Sequence, residues 1–260
     1  MTFLEKIKHA QEKSHSILCV GLDTDWKSLP KKLDGEENPV VVFNKAIIDA
    51  TKDVACAYKL QLAYYEAYGE RGYAAVQETL ASIPEHIVTI GDVKRGDIGA
   101  TSEQYAYAYQ EMFPFDAITI NPLMGFDAAE PFLRRADRGV FFLGLTSNPG
   151  ARDFEYLELS NGKKLYEEIT DNVRAWNEPK KNAGLVVGAT KPAELRALRE
   201  RAPELPFLIP GVGTQGGTME DVKAANGDGI AIVNVSRGII AASKGADFAE
   251  AARAAAKKYT

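Results

Sequence analysis

The sequence predicts a (β/α)8 or TIM barrel, with residues 1–260 forming a single domain. Three observations predict it: eight short apolar runs, a helix-compatible segment after each, and a length of 260 residues, close to the ~250 usual for such barrels. The runs are ILCVGL at 17–22, ACAYKL at 55–60, IVTIGDV at 87–93, AITIN at 117–121, VFFLGL at 140–145, GLVVGA at 184–189, PFLIPG at 206–211 and IAIVNV at 230–235. Nearly continuous apolar runs suit parallel strands covered on both faces. The intervening segments 40–53, 70–82, 100–112, 126–136, 162–177, 191–201, 218–226 and 246–258 have amphipathic spacing and are expected to be helices. Thr218 before MEDV, and Thr190 before Lys191 and Pro192, supply N-cap signals. The polar stretches 27–38 and 148–161 read as longer loops, and loops that follow strands lie on the active face of a barrel.

Composition narrows the class of partner. The net charge is -5, with acids and bases interspersed and no polybasic block, so a nucleic-acid partner is not expected. No apolar run approaches the roughly 18 residues of a membrane span, and the amphipathic start MTFLEKIKHAQEKS lacks the apolar core of a signal peptide. A cytoplasmic location is the expectation. Counting by twos along their runs, Cys19 shares a face with Asp23 whereas Cys56 lies opposite Lys59, so the two thiols are expected to stay unpaired and buried. His9, His15 and His86 match no HxxxH spacing, and no metal site is expected from them.

The chemistry is expected where charged residues end apolar strands, because barrel enzymes place reacting groups on that rim. The first run ends in Asp23, the second in Lys59, and the third in Asp92-Val93-Lys94-Arg95-Gly96-Asp97. Asp92 and Lys94 are two apart, which in an extended strand puts them on one face, and Gly96 frees the backbone for a turn that brings in Asp97. An ammonium flanked by carboxylates is expected. The acids keep Lys94 protonated, and Lys59 and Lys94 keep the acids ionised. Taken alone, DxKxxD could be a solvated surface loop; its place beside Asp23 and Lys59 at adjacent strand ends argues for a site.

The last two runs lead into Pro210-Gly211-Val212-Gly213-Thr214-Gln215-Gly216-Gly217 and into Ser236-Arg237-Gly238. Loops at these positions bind phosphate in many barrels: glycines let backbone N–H groups approach an anion, and an Arg binds its oxygens in a fork. The triplet Asn234-Val235-Ser236 fits a glycosylation acceptor but lies within a strand, and is read as chance. Tyr105, Tyr107 and Tyr109 are read as packing or interface residues of a helix.

Together, GLD at 21–23, YKL at 58–60, DVKRGDIGAT at 92–101, TSNPGA at 146–151, PGVGTQGG at 210–217 and SRG at 236–238 closely resemble the orotidine 5'-monophosphate decarboxylase family. TSNPG and NPLMGFD at 121–127 are similar to its longer-chain bacterial branch. The resemblance implies decarboxylation of orotidine 5'-monophosphate to UMP with no metal or organic cofactor. It implies Lys94 as the acid that protonates C6, Asp92 beside the departing carboxylate, Lys59 bridging the charges and Asp23 on a ribose hydroxyl. It further implies a homodimer in which Asp97 and Thr101 reach the neighbouring site. Ser147 would read the pyrimidine edge, Gln215 and Arg237 the phosphate, with the backbone around Pro210 and Gly213 closing over it. Ser236 departs from shorter members, where Gly often precedes the Arg. The alternative is a related barrel that uses DxKxxD with a divalent metal on a sugar phosphate.

Overall fold

A computed structural model describes residues 1–260. Eight strands, β1 (Leu18–Gly21), β2 (Ala57–Gln61), β3 (Val88–Arg95), β4 (Ala117–Ile120), β5 (Gly139–Leu145), β6 (Ala183–Val187), β7 (Phe207–Pro210) and β8 (Ala231–Val235), form a closed barrel in sequence order. All neighbours are parallel, and β1 closes on β8 with Leu18 opposite Val233. The expected strands are all present, with ends shifted by one or two residues.

Because side chains alternate across each strand, the barrel has two apolar layers. Val20, Tyr58, Ile118, Phe142, Leu185 and Val233 face outward into the larger buried cluster, shared with the helices. Cys19, Ile90, Phe141, Val186, Leu208 and Ile232 belong to a second cluster that also takes in Phe3, Ile7 and Ala10. Those three lie on the helix Phe3–Ser14, so the amphipathic N-terminal stretch lays its apolar face on the barrel interior. Phe3 meets Phe141 edge-on at 5.8 Å. Its ring leaves no room for a side chain at Gly139, where a Cβ would lie 2.2 Å away. Thr2 and Glu5 close a reciprocal capping box on this helix, satisfying two N-terminal donors.

The barrel helices are Pro39–Thr51, Gly69–Leu80, Gly99–Tyr107, Phe126–Leu133, Leu165–Asn177, Pro192–Arg201, Met219–Asn226 and Phe248–Ala256. Thr218 caps its helix as expected, its hydroxyl accepting from Asp221 N at 3.0 Å. Thr190 does not: the cap position is Lys191, without a side-chain bond, because Pro192 starts the helix one residue later than a Thr190 cap requires. The expected helix 100–112 changes to a π turn over Ala108–Met112. Of its tyrosines, Tyr109 is buried, whereas Tyr107 is exposed.

Both expected loops contain short helical turns, at Trp26–Ser28, Lys31–Leu33 and Ala151–Phe154. The second is tied to the rim by Glu155, whose carboxylate accepts from Thr146 N and Oγ1 at 2.8 and 2.7 Å. The two cysteines are unpaired, but Cys56 lies one residue before β2, outside its regular pleat, and joins Cys19 in the interior cluster rather than the opposite face. Burial pushes the Cys56 thiol up to about 12. No helix is long and apolar enough to cross a membrane.

Candidate active site

At the carboxyl ends of the strands the barrel opens into a cavity of about 500 Å³. The inward parity that places Cys19 and Ile90 in the core places polar residues two positions further on at its floor. Lys59 reaches up from β2, Asp92 from β3, Thr119 from β4 and Asn234 from β8.

Asp92 is the hub. Its Oδ1 accepts from Lys94 Nζ at 2.6 Å and from Thr119 Oγ1 at 2.8 Å; its Oδ2 accepts from Gln61 Nε2 at 2.8 Å and faces Lys59 Nζ at 3.4 Å. Lys59 continues the chain to Asp23 Oδ1 at 3.1 Å. Burial opposes a charge on Lys59, but the Asp23 and Asp92 carboxylates outweigh it and hold the ammonium above its ordinary value. Burial likewise opposes a charged Asp92, and the two ammoniums, with hydrogen bonds from Lys94 and Thr119, bring it below the ordinary carboxylate range. The Lys94 side chain, 46% exposed, is the member of this chain that faces open space.

The backbone that presents Lys94 differs from the extended strand expected. Lys94 has φ +46°, a left-handed conformation unusual for a residue with a side chain. Gly96, expected to make the turn, has no positive φ. The cause is a register slip against β4: Gly91 pairs with Ile118 and Arg95 with Ile120, so four steps along β3 face two along β4. Within one chain the ammonium meets only one of the two expected acids. Asp92 pairs with Lys94, but the Asp97 carboxylate turns back to accept from Ile98 N at 2.8 Å and makes no ion pair within this chain.

The remaining expected residues divide plainly. Asp23, Ser147, Pro210, Gln215, Ser236 and Arg237 line the cavity with Lys59, Asp92 and Lys94. Ser147 Oγ donates to Gln215 Oε1 at 2.8 Å, joining the loops after β5 and β7. Arg237 is exposed at the start of a short helix, its Nη2 donating to Thr214 Oγ1 at 3.3 Å. Gly213 does not line the cavity; it faces Tyr259, whose hydroxyl would meet a Cβ there at 3.0 Å. Asp97 and Thr101 also lie outside it, half-buried and exposed respectively.

Sequence reasoning missed Gln61, Tyr64, Thr119, Asn148 and Asn234, all on the cavity wall. A signal existed for three of them. Gln61 lies two beyond Lys59 and so on its face, while Thr119 and Asn234 are polar residues inside apolar runs, and polar groups in such places need a partner.

Among known proteins, the profile described as "Orotidine 5'-phosphate decarboxylase / HUMPS family" matches residues 16–255. The chain is 49% identical over 258 residues to the orotidine 5'-phosphate decarboxylase of Herpetosiphon aurantiacus, covering 99% of this chain and 96% of that one. It is 46% identical over 262 residues to that of Thermomicrobium roseum, covering 99% and 93%. Among solved structures, the OMP decarboxylase of Leishmania donovani superimposes with a TM-score of 0.85 at 35% identity, covering 99% of this chain and 95% of that one. The UMP synthase of the same organism superimposes at 0.86 with 36% identity over the whole of this chain, which spans 56% of that longer protein. A match across all eight strands, with the charged rim inside it, establishes that the chain belongs to the orotidine 5'-phosphate decarboxylase / HUMPS family.

Proposed function

We propose that this chain, acting as one domain over residues 1–260, decarboxylates orotidine 5'-monophosphate to uridine 5'-monophosphate and CO2. This is the last step of de novo pyrimidine biosynthesis. The observation that carries the reading is the Lys94–Asp92–Lys59–Asp23 chain on the floor of a cavity whose rim also presents Ser147, Gln215 and Arg237.

In this reading Arg237 and Gln215 hold the phosphate, Asp23 and Lys59 the ribose hydroxyls, and Ser147 the pyrimidine edge, with Pro210 and Ser236 shaping the wall. The bond from C6 to the carboxyl carbon breaks, CO2 leaves, and the electron pair stays on C6. The Lys94 ammonium stabilises that developing charge and then transfers its proton to C6. Asp92 holds the ammonium in place, and its own charge faces the departing carboxylate. Contacts far from C6 contribute to rate only insofar as they hold the reacting carbon against Lys94.

We further place the protein in the cytoplasm as a homodimer that works without metal or organic cofactor. Support for the dimer comes from Asp97 and Thr101, which lie outside the cavity of their own chain; Ile98 between them is exposed, as are Leu123, Met124 and Phe126 at the start of the helix that packs against Gly99–Tyr107. A second copy covering that surface would receive both residues at its own cavity. The metal-free reading is supported by Asp92, both of whose oxygens already face ammonium, amide or hydroxyl donors. Two unpaired buried thiols fit a reducing compartment. The test is a spectrophotometric assay of orotidine monophosphate with and without chelator. Turnover indifferent to chelator and abolished in folded Lys94→Ala is expected; chelator-sensitive turnover, or normal turnover in that variant, would overturn the reading.

A further inference from the structure

Lys94 holds a backbone conformation that an L residue disfavours, and the register slip explains how it can do so. Where β3 takes four steps against two of β4, the amide N–H of Lys94 has no carbonyl of the parallel ladder opposite it. Instead it donates to the side-chain hydroxyl of Thr119, at 3.0 Å. The same hydroxyl donates its own proton to Asp92 Oδ1, at 2.8 Å. The ladder resumes immediately afterwards, with Asn121 N donating to Arg95 O at 2.8 Å. Thr119 is 1% exposed and projects from β4 into the barrel at the base of the cavity, its hydroxyl held by the two hydrogen bonds.

One oxygen therefore determines two positions at once. It fixes the backbone from which the Lys94 side chain springs, and it orients the carboxylate oxygen that holds the Lys94 ammonium at 2.6 Å. The geometry points to Thr119 as a positioning residue for the proton donor: its hydroxyl aims Lys94 at the reacting carbon without needing to touch the phosphate or ribose. This rests on the decarboxylase reading above. No residue that lacks a hydroxyl at 119 can replace it. Valine has the shape but leaves the Lys94 N–H and one Asp92 lone pair unpaired, and alanine removes the oxygen altogether. Serine keeps the oxygen and loses only a methyl group.

The test compares Thr119→Val and Thr119→Ser with wild type, measuring kcat and KM for orotidine monophosphate and, separately, UMP affinity by calorimetry. Displacing a reacting group by even an ångström costs on the order of 10²-fold, so a kcat loss of about that size is expected for Thr119→Val. UMP affinity is expected to be unchanged, with kcat largely restored in Thr119→Ser. Should Thr119→Val fail to fold, Thr119→Ala removes the same hydroxyl with less volume and is held to the same outcome. Wild-type kcat in the hydroxyl-free variant overturns the inference while leaving the decarboxylase reading intact. Parallel loss of UMP affinity and kcat, or no rescue by serine, also overturns it, since either assigns Thr119 to general integrity of the cavity. A wild-type chain that makes no UMP from orotidine monophosphate removes the parent reading and this inference with it.

Discussion

Lys59 Nζ lies 3.4 Å from Asp92 Oδ2, in an ion pair whose side chains are 4% and 11% exposed. Lone charges so far from water would be strongly unfavourable, and each is held ionised by the other. The Asp92 carboxyl is below its ordinary 3.8, so its contribution to stability is fully present above that value and is lost as pH falls through the lower folded one. Lys59 is raised above 10.5, so its contribution is fully present below that value and is lost as pH rises through the higher folded one. Removing one partner of such a pair is strongly destabilising, and Lys59→Met is expected to cost about 3 kcal/mol at neutral pH. With one of its two ammoniums gone, Asp92 titrates higher, and acid unfolding begins at a higher pH than in wild type. Urea midpoints measured as a function of pH check both; an acid limb that does not move would contradict the pairing.

The left-handed Lys94 allows backbone strain to be separated from chemistry. At φ +46° a side chain costs about 1–2 kcal/mol relative to glycine. Lys94→Gly and Lys94→Ala both remove the ammonium and are expected to be inactive, but the glycine variant should be the more stable by about 1 kcal/mol. Equilibrium denaturation of the two side by side is the measurement, and an alanine variant at least as stable as glycine would contradict the assigned conformation.

Arg237 is exposed on the rim, and its proposed partner is a phosphate. Charge-assisted hydrogen bonds are worth about 1.5–3 kcal/mol, so Arg237→Ala is expected to weaken UMP binding by roughly 10- to 100-fold. Uridine, which has no phosphate, should bind wild type and variant alike. Calorimetry with the two ligands separates the roles, and equal losses for both would move Arg237 away from the phosphate.

Asp97 and Thr101 are separated from the cavity of their own chain, and the proposed dimer makes a distinctive prediction. Lys94→Ala and Asp97→Ala homodimers should each be severely impaired. Mixed under conditions that exchange subunits, they should form hybrids in which one cavity has both native residues, restoring about one site in four at random pairing. No recovery despite verified exchange would place Asp97 in its own chain's chemistry.

The barrel was legible in the sequence because its signal is local. An apolar run such as VFFLGL reports burial on both faces whatever it pairs with, and the inward parity of Lys59 and Asp92 follows from counting by twos along a strand. Charges at strand ends then marked the rim, and the loops proposed to hold phosphate were visible as glycine-containing segments after the last two strands. The N-terminal helix was visible only as an amphipathic stretch, since nothing in MTFLEKIKHAQEKS says that Phe3 will settle against Phe141, far along the chain.

What the sequence by itself determined is the eightfold alternation and the identity of the charged rim, both properties of neighbouring residues. Tertiary structure alone decided how β3 slips against β4, that Lys94 rather than Gly96 takes the unusual backbone angle, and that Asp97 accepts from Ile98 N and lies outside the cavity of its own chain. It also recruited Thr119, twenty-five residues beyond Lys94, to complete a hydrogen bond the strand ladder leaves open. The reason is that register is a pairing between distant segments: it is chosen by which backbone groups and side chains can be satisfied together once the cylinder closes, and no single run contains that information.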